Sequence, residues 1–477
     1  MIVSLILAPF FILVAVNFIF RNTARNAIFW LGLLFCLGQA ALALMPHSPF
    51  WAAESILLKG IFKFEFLADG FTKLMLLCIG MVMAATFVLG RSLVEGRHRR
   101  FDFYSLLLVA LISLNGVVLT RDLFTLYVFI EAASITSFIL ITYEKSAHSF
   151  EAAFKYIIMS ALASVLMISA MSLFLLICGT SDFAGIRSML AIAPARFTLF
   201  ASGMFLCGLF IKSGLMPFHG WLPDVYSSAP APVSVLLGGI ITKTVGVYAL
   251  ARVAVTVFGI EGPMKTVFLL VGVVSVVLGA LASLTQGDFK RMLAYSSISQ
   301  VGYIIMGLGS ASALGIAGAL FHIFNHAVFK SLLFVNAAAV EKQTGTTDIG
   351  RMSGLAQRMP VTGLTSVLGS LSAAGLPPLA GFWSKLIILI ALWAAGFHIY
   401  AAIAAMASVL TLAYFLTLQR KAFFGELAEE FKNVKEAGPG FVLVSLAFGA
   451  LIILIGIAAP FILKNMILPL GSSILGG

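Results

Sequence analysis

The sequence carries little charge for its length. Its 477 residues contain 30 Lys plus Arg and 19 Asp plus Glu, so charged residues make up 10% of the chain. A soluble domain has about a quarter, and this shortage excludes an ordinary soluble protein. The formal net charge of +11 is spread between apolar runs rather than gathered in one polar stretch, which argues against nucleic-acid binding.

Cysteine is scarce and scattered. Cys36, Cys78, Cys178 and Cys207 stand singly within apolar runs, and the sequence has no CxxC pair. Zinc and iron–sulfur sites use clustered cysteines, so we expect no metal and no cofactor in this chain. The phosphate-binding loop G-x-x-x-x-G-K-[ST] is also absent from the sequence. Energy for any transport would therefore come from an ion gradient or from a partner.

Long apolar segments dominate the sequence instead. Hydrophobic residues make up 61% of the chain, and the mean hydropathy is +1.08. Because about 20 apolar residues cross a bilayer as a helix, the pattern predicts an all-α polytopic membrane protein with about fourteen transmembrane helices. The predicted spans are residues 2–20, 27–45, 70–90, 103–119, 122–142, 152–178, 197–216, 232–255, 265–285, 293–309, 313–340, 361–394, 397–419 and 439–464.

Basic residues fall mainly in every second turn between these spans. They are Arg21, Arg25, Arg91, Arg97, Arg99, Arg100, Lys145, Lys290, Arg291, Lys342, Arg351, Arg358, Arg420, Lys421, Lys432 and Lys435. Because cytoplasmic loops are enriched in Lys and Arg, this pattern predicts that both termini lie on the outer face of a bacterial or archaeal cytoplasmic membrane. The first apolar run precedes its basic residues, unlike a signal peptide, and is expected to be a membrane helix. The polar stretch from Gly425 to Gly440 is expected to be a cytoplasmic connector.

Two apolar segments are interrupted by glycine and proline in the same pattern. Gly214–Trp221 and Gly375–Phe382 share G-L-x-P-x-x-G-aromatic and lie 161 residues apart. Proline removes a backbone donor and clashes with the preceding turn, so Pro217, Pro377 and Pro378 predict two broken helices. Paired broken helices indicate a transport site between structural repeats, although two unrelated kinks would give the same pattern.

Four charged residues lie within or beside the predicted spans. They are Glu131, Lys212, Lys243 and Lys385. A charge at the centre of a membrane helix costs about 2.5 to 3.5 kcal/mol on insertion scales. Such a set indicates a hydrated interior with a function, whereas any single member could be a snorkelling or structurally paired charge. Lys243 lies midway along its span and is the strongest candidate.

A further stripe combines histidine and lysine. His322, His326 and Lys330 follow one another at i+4 spacing and share one face of a helix. Histidine titrates near neutrality, and burial can bring lysine there, so the stripe is a candidate proton relay. Two histidines at this spacing also fit a metal site, but the Glu of an HExxH motif is absent.

Several longer motifs resemble a single family. They are Arg121-Asp122 ahead of Glu131, Lys212 ahead of Met216–Pro223, Ala229–Ser234 ahead of Lys243, Asp288–Ile298, His322–Lys330 and Gly375–Lys385. This set, from about residue 65 to 440, resembles the antiporter-like proton-channel subunits of respiratory complex I, Mrp-type Na+/H+ antiporters and membrane-bound energy-converting hydrogenases.

The resemblance implies fourteen helices with two inverted five-helix repeats, in which helices 7 and 12 are broken. Helices 1–3 would occupy residues 1–102, the repeats 103–255 and 256–420, and the connector with helix 14 residues 421–477. The implied proton-transfer residues are Glu131 with Lys212 in the first half-channel, Lys243 as the bridge, His322 with Lys330 in the centre, and Lys385 in the second half-channel. Secondary positions are Lys155, His326 and His219.

The function implied by the resemblance is translocation of protons, or exchange of Na+ for H+, in a multi-subunit energy-converting complex. Partners would be other membrane subunits, including homologous antiporter-like subunits, and in some members a peripheral redox module. The chain is shorter than members with a long lateral C-terminal helix, and it has Lys385 where one complex I paralogue has glutamate. The Mrp D-type and hydrogenase-group subunits are therefore the nearest expected relatives.

Three other classes of function stay open on the sequence alone. Broken helices would equally suit a self-sufficient secondary transporter, although the intramembrane polar residues form a chain rather than a pocket. A purely structural spacer that holds other subunits together is disfavoured, because leucine would suit its membrane helices better than charged residues do. A quinone-reducing enzyme would need cofactor ligands, which the sequence does not offer.

Overall fold

A computed structural model describes residues 2–18, 26–45, 48–51, 54–57, 63–94 and 96–476. Arg21 and Arg25, which support the predicted orientation, lie outside the described residues. Within these residues, ten helices are long and apolar enough to cross a membrane, and three shorter apolar helices accompany them. The predicted helical membrane protein is confirmed at this level, while the count of fourteen spans stays a prediction.

The described helices follow the predicted apolar segments, apart from two short ones, α7 and α9. In chain order they are α1 Ser4–Phe18, α2 Ala27–Ala43, α3 Gly70–Leu93, α4 Arg97–Leu119, α5 Leu123–Ile141, α6 Ala147–Cys178, α7 Phe183–Leu190, α8 Ala195–Ser213, α9 Trp221–Ser228, α10 Ala231–Phe258, α11 Gly262–Leu284, α12 Phe289–Gly309, α13 Ala313–Thr344, α14 Pro360–Ala374, α15 Ala380–Ala394, α16 His398–Phe423 and α17 Pro439–Ile474. Short 3-10 turns occupy Pro49–Trp51, Leu355–Gln357 and Glu429–Phe431.

Polar side chains cap the start of several helices. Asp69, Asp122 and Ser146 each accept a hydrogen bond from the backbone N–H three residues further along. Asp288 and Ser312 cap α12 and α13 in the same way. Each cap satisfies a donor that the first helical turn leaves open, so an apolar run can begin as a helix next to a polar turn.

A small β-hairpin departs from the all-α expectation. Strands β1 Glu54–Leu57 and β2 Lys63–Phe66 pair antiparallel, with Glu54 opposite Phe66. The second strand continues to the α4–α5 connection, where the backbone N–H of Arg121 donates to the Glu65 carbonyl at 2.9 Å. The segment is too short and too mixed in polarity to show a strand signal in a sequence dominated by helix-length runs.

Helix α10 contains π-helical turns that the sequence did not predict. They span Leu237–Ile241, Lys243–Tyr248 and Ala254–Phe258. A π-turn widens the helix locally and is frequent at functional sites. Lys243 therefore begins an irregular segment rather than lying in a regular α-helix.

The chain divides into two compact units. The first comprises residues up to Gly214 together with Ile240–Gly259, and the second comprises Leu215–Gly239 together with Ile260–Gly476. Leu215–Gly239 thus groups with the second unit, although the predicted first repeat includes it. A buried cluster of α11, α12, α15 and α16 side chains, among them Leu269, Tyr303 and Ile388, forms part of the core of the second unit.

Both units contain the same long helix with the same local start and end. Helices α6 and α13 each have 32 residues, begin after a capping serine, and end at a left-handed glycine, Gly179 or Gly345. The residue before the capping serine has positive φ in both cases, at Lys145 and Ala311. The two helices differ in their surroundings. The most apolar stretch of α13 is entirely buried, whereas 28% of the corresponding stretch of α6 is buried.

Candidate functional site

Helices are interrupted at both predicted glycine–proline motifs. Helix α8 ends at Ser213, and Gly214 follows with φ +66° before α9 begins. Helix α14 ends at Ala374, and Gly375 follows with φ +86° before α15 begins at Ala380. Such positive φ values favour glycine, so the two glycines fit the ends of the interrupted helices.

Lys212 forms a buried ion pair in the first unit. It lies one residue before the end of α8, and its Nζ is 2.8 Å from Glu131 Oε1 on α5. The Lys212 side chain is 1% exposed, whereas that of Glu131 is 25% exposed. The structure therefore brings together the two residues predicted as a coupled pair, with the lysine inside and the carboxylate nearer the surface.

Three serines complete the surroundings of this pair. Lys212 Nζ also donates to Ser160 Oγ at 2.6 Å and to Ser134 Oγ at 3.0 Å, and Ser164 Oγ donates to Glu131 Oε1 at 2.7 Å. Sequence reasoning missed these hydroxyls. The available signal was the spacing of Ser160 and Ser164, which places both on one face of α6.

Lys243 is fully buried in the first unit. It begins the π-turn that ends at Tyr248, and Gly246 lies within that turn. A Cβ on Gly246 would lie 2.5 Å from Ser213 Cα and 2.7 Å from the Lys212 carbonyl oxygen. The backbone of α10 thus approaches the end of α8 closely just beyond Lys243.

A second charged cluster in the first unit was not predicted. Arg252 donates to both carboxylate oxygens of Asp69 at 2.6 and 2.7 Å, and Arg121 lies 3.4 Å from the same carboxylate. Burial would raise the pKa of Asp69, but the two guanidinium charges outweigh this effect and hold the pKa well below its usual range. The ionised Asp69 ties the start of α3 to α10.

His322 lies in a polar network of the second unit. Its Nδ1 is 2.9 Å from Ser384 Oγ and its Nε2 is 3.2 Å from Gln300 Oε1. With the Gln300 amide in this orientation, its Oε1 can only accept, so Nε2 carries a hydrogen and donates to it. Asn325 also donates to Ser384, at 3.1 Å. The imidazole therefore lies between two polar side chains, as a proton relay requires.

Lys385 occupies the helix break of the second unit. Its Nζ donates to the Ala373 carbonyl at 2.8 Å and to the Ala374 carbonyl at 3.4 Å. These carbonyls belong to the last turn of α14, where a helix leaves its acceptors open. The same amine lies 4.5 Å from the centre of the Tyr303 ring. Lys385 thus supplies a polar partner to the open carbonyls at the end of α14.

The remaining members of the histidine–lysine stripe are also buried. Lys330 donates to the Leu293 carbonyl at 2.9 Å and to Ser296 Oγ. The His326 ring centre is 6.4 Å from that of His322, and the His326 ring makes an edge contact with Phe329. All three stripe residues thus lie inside the second unit.

Two secondary positions lie apart from these networks. Lys155 is on an exposed face of α6, where it pairs with Glu151 at 2.8 Å, so the structure does not add it to the buried set. His219 is half-buried in the break before α9, with its ring 6.1 Å from that of Tyr295. Among the described residues, no group of three or more His, Cys, Asp or Glu side chains could hold a metal ion.

Comparison with known proteins identifies the family. Residues 120–411 match the family described as "NADH:quinone oxidoreductase/Mrp antiporter, TM". The chain belongs to this family. It is 34% identical over 402 residues to the D-type subunit of the Na(+)/H(+) antiporter of Alkalihalophilus pseudofirmus, and the match covers 83% of this chain and 81% of that protein.

A further relative supports the family, and a solved structure shows the same fold. The chain is 34% identical over 353 residues to the N-type subunit of the NADH-quinone oxidoreductase of Desulforudis audaxviator, covering 73% of this chain and 69% of that protein. Its fold is similar to a chain of the Mrp complex from Dietzia sp. DQ12-45-1b, with a TM-score of 0.89, 23% identity and 99% coverage of both chains. The family predicted from the motifs is therefore confirmed.

Proposed function

We propose that this chain is a proton-translocating membrane subunit of a multi-subunit energy-converting complex. The observation that carries the proposal is the buried Lys212 side chain, which Glu131 and two serine hydroxyls hold near the end of a helix long and apolar enough to cross a membrane. The relatives named as antiporter and quinone oxidoreductase subunits support it. The proposal includes fourteen spans, two inverted five-helix repeats with the seventh and twelfth helices broken, and outer-facing termini.

In the proposed mechanism, the Lys212–Glu131 pair controls when a proton moves. When Glu131 is close, the ammonium form of Lys212 is favoured and the proton is held. When Glu131 withdraws, Lys212 gives up its proton, which passes to Lys243 and then to His322. Lys330 supports the central relay, and Lys385 passes the proton onward.

The energy scale of the pair fits this role. Moving one charge across 100 mV is worth about 2.3 kcal/mol. Removing one partner of a buried ion pair costs roughly 3–5 kcal/mol, and the lower end applies here because Glu131 is 25% exposed. The free-energy difference between the closed and the open pair is thus large enough to drive one proton against such a potential.

Other subunits would supply the driving reaction. This chain would carry no cofactor of its own, and redox chemistry or an ion gradient in neighbouring subunits would move Glu131. A purely gradient-driven Na+/H+ antiporter is the second candidate, favoured by the match to the D-type antiporter subunit over 83% of the chain. In either case, the protein lies in a bacterial or archaeal cytoplasmic membrane beside other membrane subunits.

Lys243→Ala tests the proposed proton path. The variant should retain assembly but lose coupled proton flux, measured by a pH-sensitive dye in vesicles that contain the whole complex, because the bridge between the half-channels is gone. The matched control is Lys464→Ala, which removes an exposed lysine from α17 and should leave flux within about twofold of the parent. Undiminished flux in Lys243→Ala at normal assembly would refute the proposal.

A further inference from the structure

Helix α14 presents a stripe of hydroxyl groups to the interior of the second unit. Thr362, Thr365, Ser366 and Ser370 are all buried, with at most 3% of each residue exposed. Their spacing of three and four residues places them on one face of the helix. We call this set the hydroxyl stripe.

The corresponding helix of the other broken pair has no such stripe. When the two glycine–proline motifs are aligned, the stripe positions correspond to Ala201, Met204, Phe205 and Leu209 of α8. Three of these four apolar residues are buried as well. A broken helix in this chain can therefore pack with apolar residues at these four positions, and the hydroxyl groups at the same positions of α14 call for their own explanation.

Two buried amides lie against the stripe. Gln419 Nε2 donates to Ser366 Oγ at 2.8 Å and to Ser370 Oγ at 2.9 Å, while Thr365 Oγ1 donates to Asn336 Oδ1 at 3.1 Å. Each amide also has a buried atom, Gln419 Oε1 or Asn336 Nδ2, with no hydrogen-bond partner among the described residues. Buried polar atoms of this kind are usually satisfied by water, so the face next to the stripe is suited to hold water molecules.

A titratable group lies at each end of the stripe. Glu436 of the connector accepts from Thr362 Oγ1 at 2.5 Å and from the Val361 backbone N–H at 2.8 Å. At the other end of α14, the carbonyls of Ala373 and Ala374 accept from Lys385. Glu436 is half-buried and Lys385 is fully enclosed, so the stripe runs from the surface to an interior amine.

We propose that the hydroxyl stripe lines a hydrated proton path between Lys385 and Glu436. This inference rests on the proposed function, since it gives Lys385 a specific exchange route. At about 1.5 Å per residue, the 15 residues of α14 span roughly 22 Å, most of a hydrocarbon core of about 30 Å. The path opens at the membrane face that carries the 425–440 connector, which the sequence predicts to be cytoplasmic.

The chemistry of the path is a chain of proton hops. Each water or hydroxyl accepts a proton from one side and releases another to the next, so no charge stays on the stripe. When a proton leaves, the Lys385 ammonium becomes a neutral amine and the Glu436 carboxylate becomes a carboxylic acid. Uptake is the reverse of this transfer. Lys385 could thereby exchange protons with one side of the membrane without passing them through His322.

Cysteine accessibility tests whether the stripe is wet. Ser370→Cys and the aligned Leu209→Cys would each be made in a chain whose four native cysteines are replaced by alanine. The assembled complex, in vesicles of either orientation, would be treated with 2-(trimethylammonium)ethyl methanethiosulfonate, whose permanent charge keeps it from crossing the lipid. We expect at least tenfold faster labelling of Ser370→Cys, and only from the connector side. Equal and negligible labelling of the two cysteines would overturn the proposal.

Proton flux gives the second readout. Ser370→Leu, which introduces the α8 residue at the aligned position, should lower flux at least tenfold, whereas Ser370→Ala should lower it less than threefold because water can fill the space. Thr417→Leu, at a partly exposed hydroxyl of α16, is the control for the added volume. Parental flux in Ser370→Leu would overturn the path.

The two readouts separate this proposal from the proposed function. If Lys243→Ala retains full flux, proton translocation through the buried lysines is wrong, yet the labelling of Ser370→Cys still decides whether the stripe is hydrated. If Lys243→Ala abolishes flux and Ser370→Leu does not, the proposed function stands and the path is wrong. If Ser370→Leu fails to assemble, the near-isosteric Ser370→Cys decides alone.

Discussion

At the scale of single residues, the environment of a charge matters more than its presence. Lys212 and Lys155 are both lysines in apolar helices, but only Lys212 is enclosed and held by Glu131 and serine hydroxyls. Lys155 reaches a surface carboxylate one helical turn away. The family resemblance names both residues, and their burial and partners separate them: Lys212 pairs with a residue of another helix, whereas Lys155 pairs within its own helix.

The asymmetric exposure of the pair gives a prediction for Glu131. Glu131→Gln should lower the free energy of unfolding of the purified complex by up to about 3 kcal/mol. The reason is that the buried Lys212 charge would lose the carboxylate that pairs with it. Adding Lys212→Met should recover most of that stability without restoring proton flux. Glu151→Gln, which breaks an exposed i,i+4 pair, is the control and should change stability by less than about 0.5 kcal/mol. A double variant no more stable than Glu131→Gln would contradict this account.

At the scale of elements, close helix contacts define the site. Helix α10 carries Lys243 and approaches the last turn of α8, the helix that carries Lys212, through Gly246. A glycine there removes the side chain that would keep the two backbones apart. The π-turn from Lys243 to Tyr248 coincides with this contact, so the geometry of the bridging lysine depends on how these two helices pack.

Gly246→Ala tests this contact. The added methyl would lie 2.5 Å from Ser213 Cα, and moving backbone atoms to relieve this clash is costly. We therefore expect the free energy of unfolding to fall by about 1–3 kcal/mol and the proton flux to decrease. Gly203→Ala on α8 is the matched control, since its Cβ would meet nothing within 4 Å. It should be neutral or slightly stabilising, because alanine favours a helix over glycine. Equal melting temperatures for the two variants would show that the contact is looser than described.

At the scale of the whole molecule, the two compact units use related elements for different purposes. Helices α6 and α13 share their length, cap and terminal glycine. In the first unit, however, α6 contributes Ser160 and Ser164 to the surroundings of an ion pair. In the second unit, α13 itself carries the buried His322, His326 and Lys330. Two helices with the same length, cap and terminal glycine therefore take part in two different polar networks.

The orientation of the molecule is testable with two cysteines. Ser473→Cys, near the end of α17, should react with an impermeant maleimide added to intact cells, whereas Lys432→Cys in the connector should react only in inside-out vesicles. The reason is that basic residues cluster on the predicted cytoplasmic side. Both substitutions would be made in a chain whose native cysteines are replaced by alanine. Labelling in the opposite sense would reverse the predicted topology and place the Glu436 end of the hydroxyl stripe outside.

The sequence by itself determined the class of the protein, its family and most of its helices. Low charge and repeated apolar runs of membrane length leave few alternatives to a helical membrane protein, because only internally satisfied backbones are stable in lipid. The glycine–proline motifs predicted both helix breaks, and the family resemblance named Glu131 and Lys212, whose charged atoms lie 2.8 Å apart in the structure. These features depend on local composition and on motifs that a linear pattern retains.

Only the tertiary structure decided which side chains meet. The serines around Lys212, the carbonyls that accept from Lys385 and the amides along the hydroxyl stripe all come from distant parts of the chain. The spacing of serines and threonines in a membrane helix shows which of them share a helix face, but not which charged side chain they contact. The β-hairpin and the π-turn at Lys243 likewise depend on contacts between elements, which a periodicity of 2 or 3.6 residues does not encode.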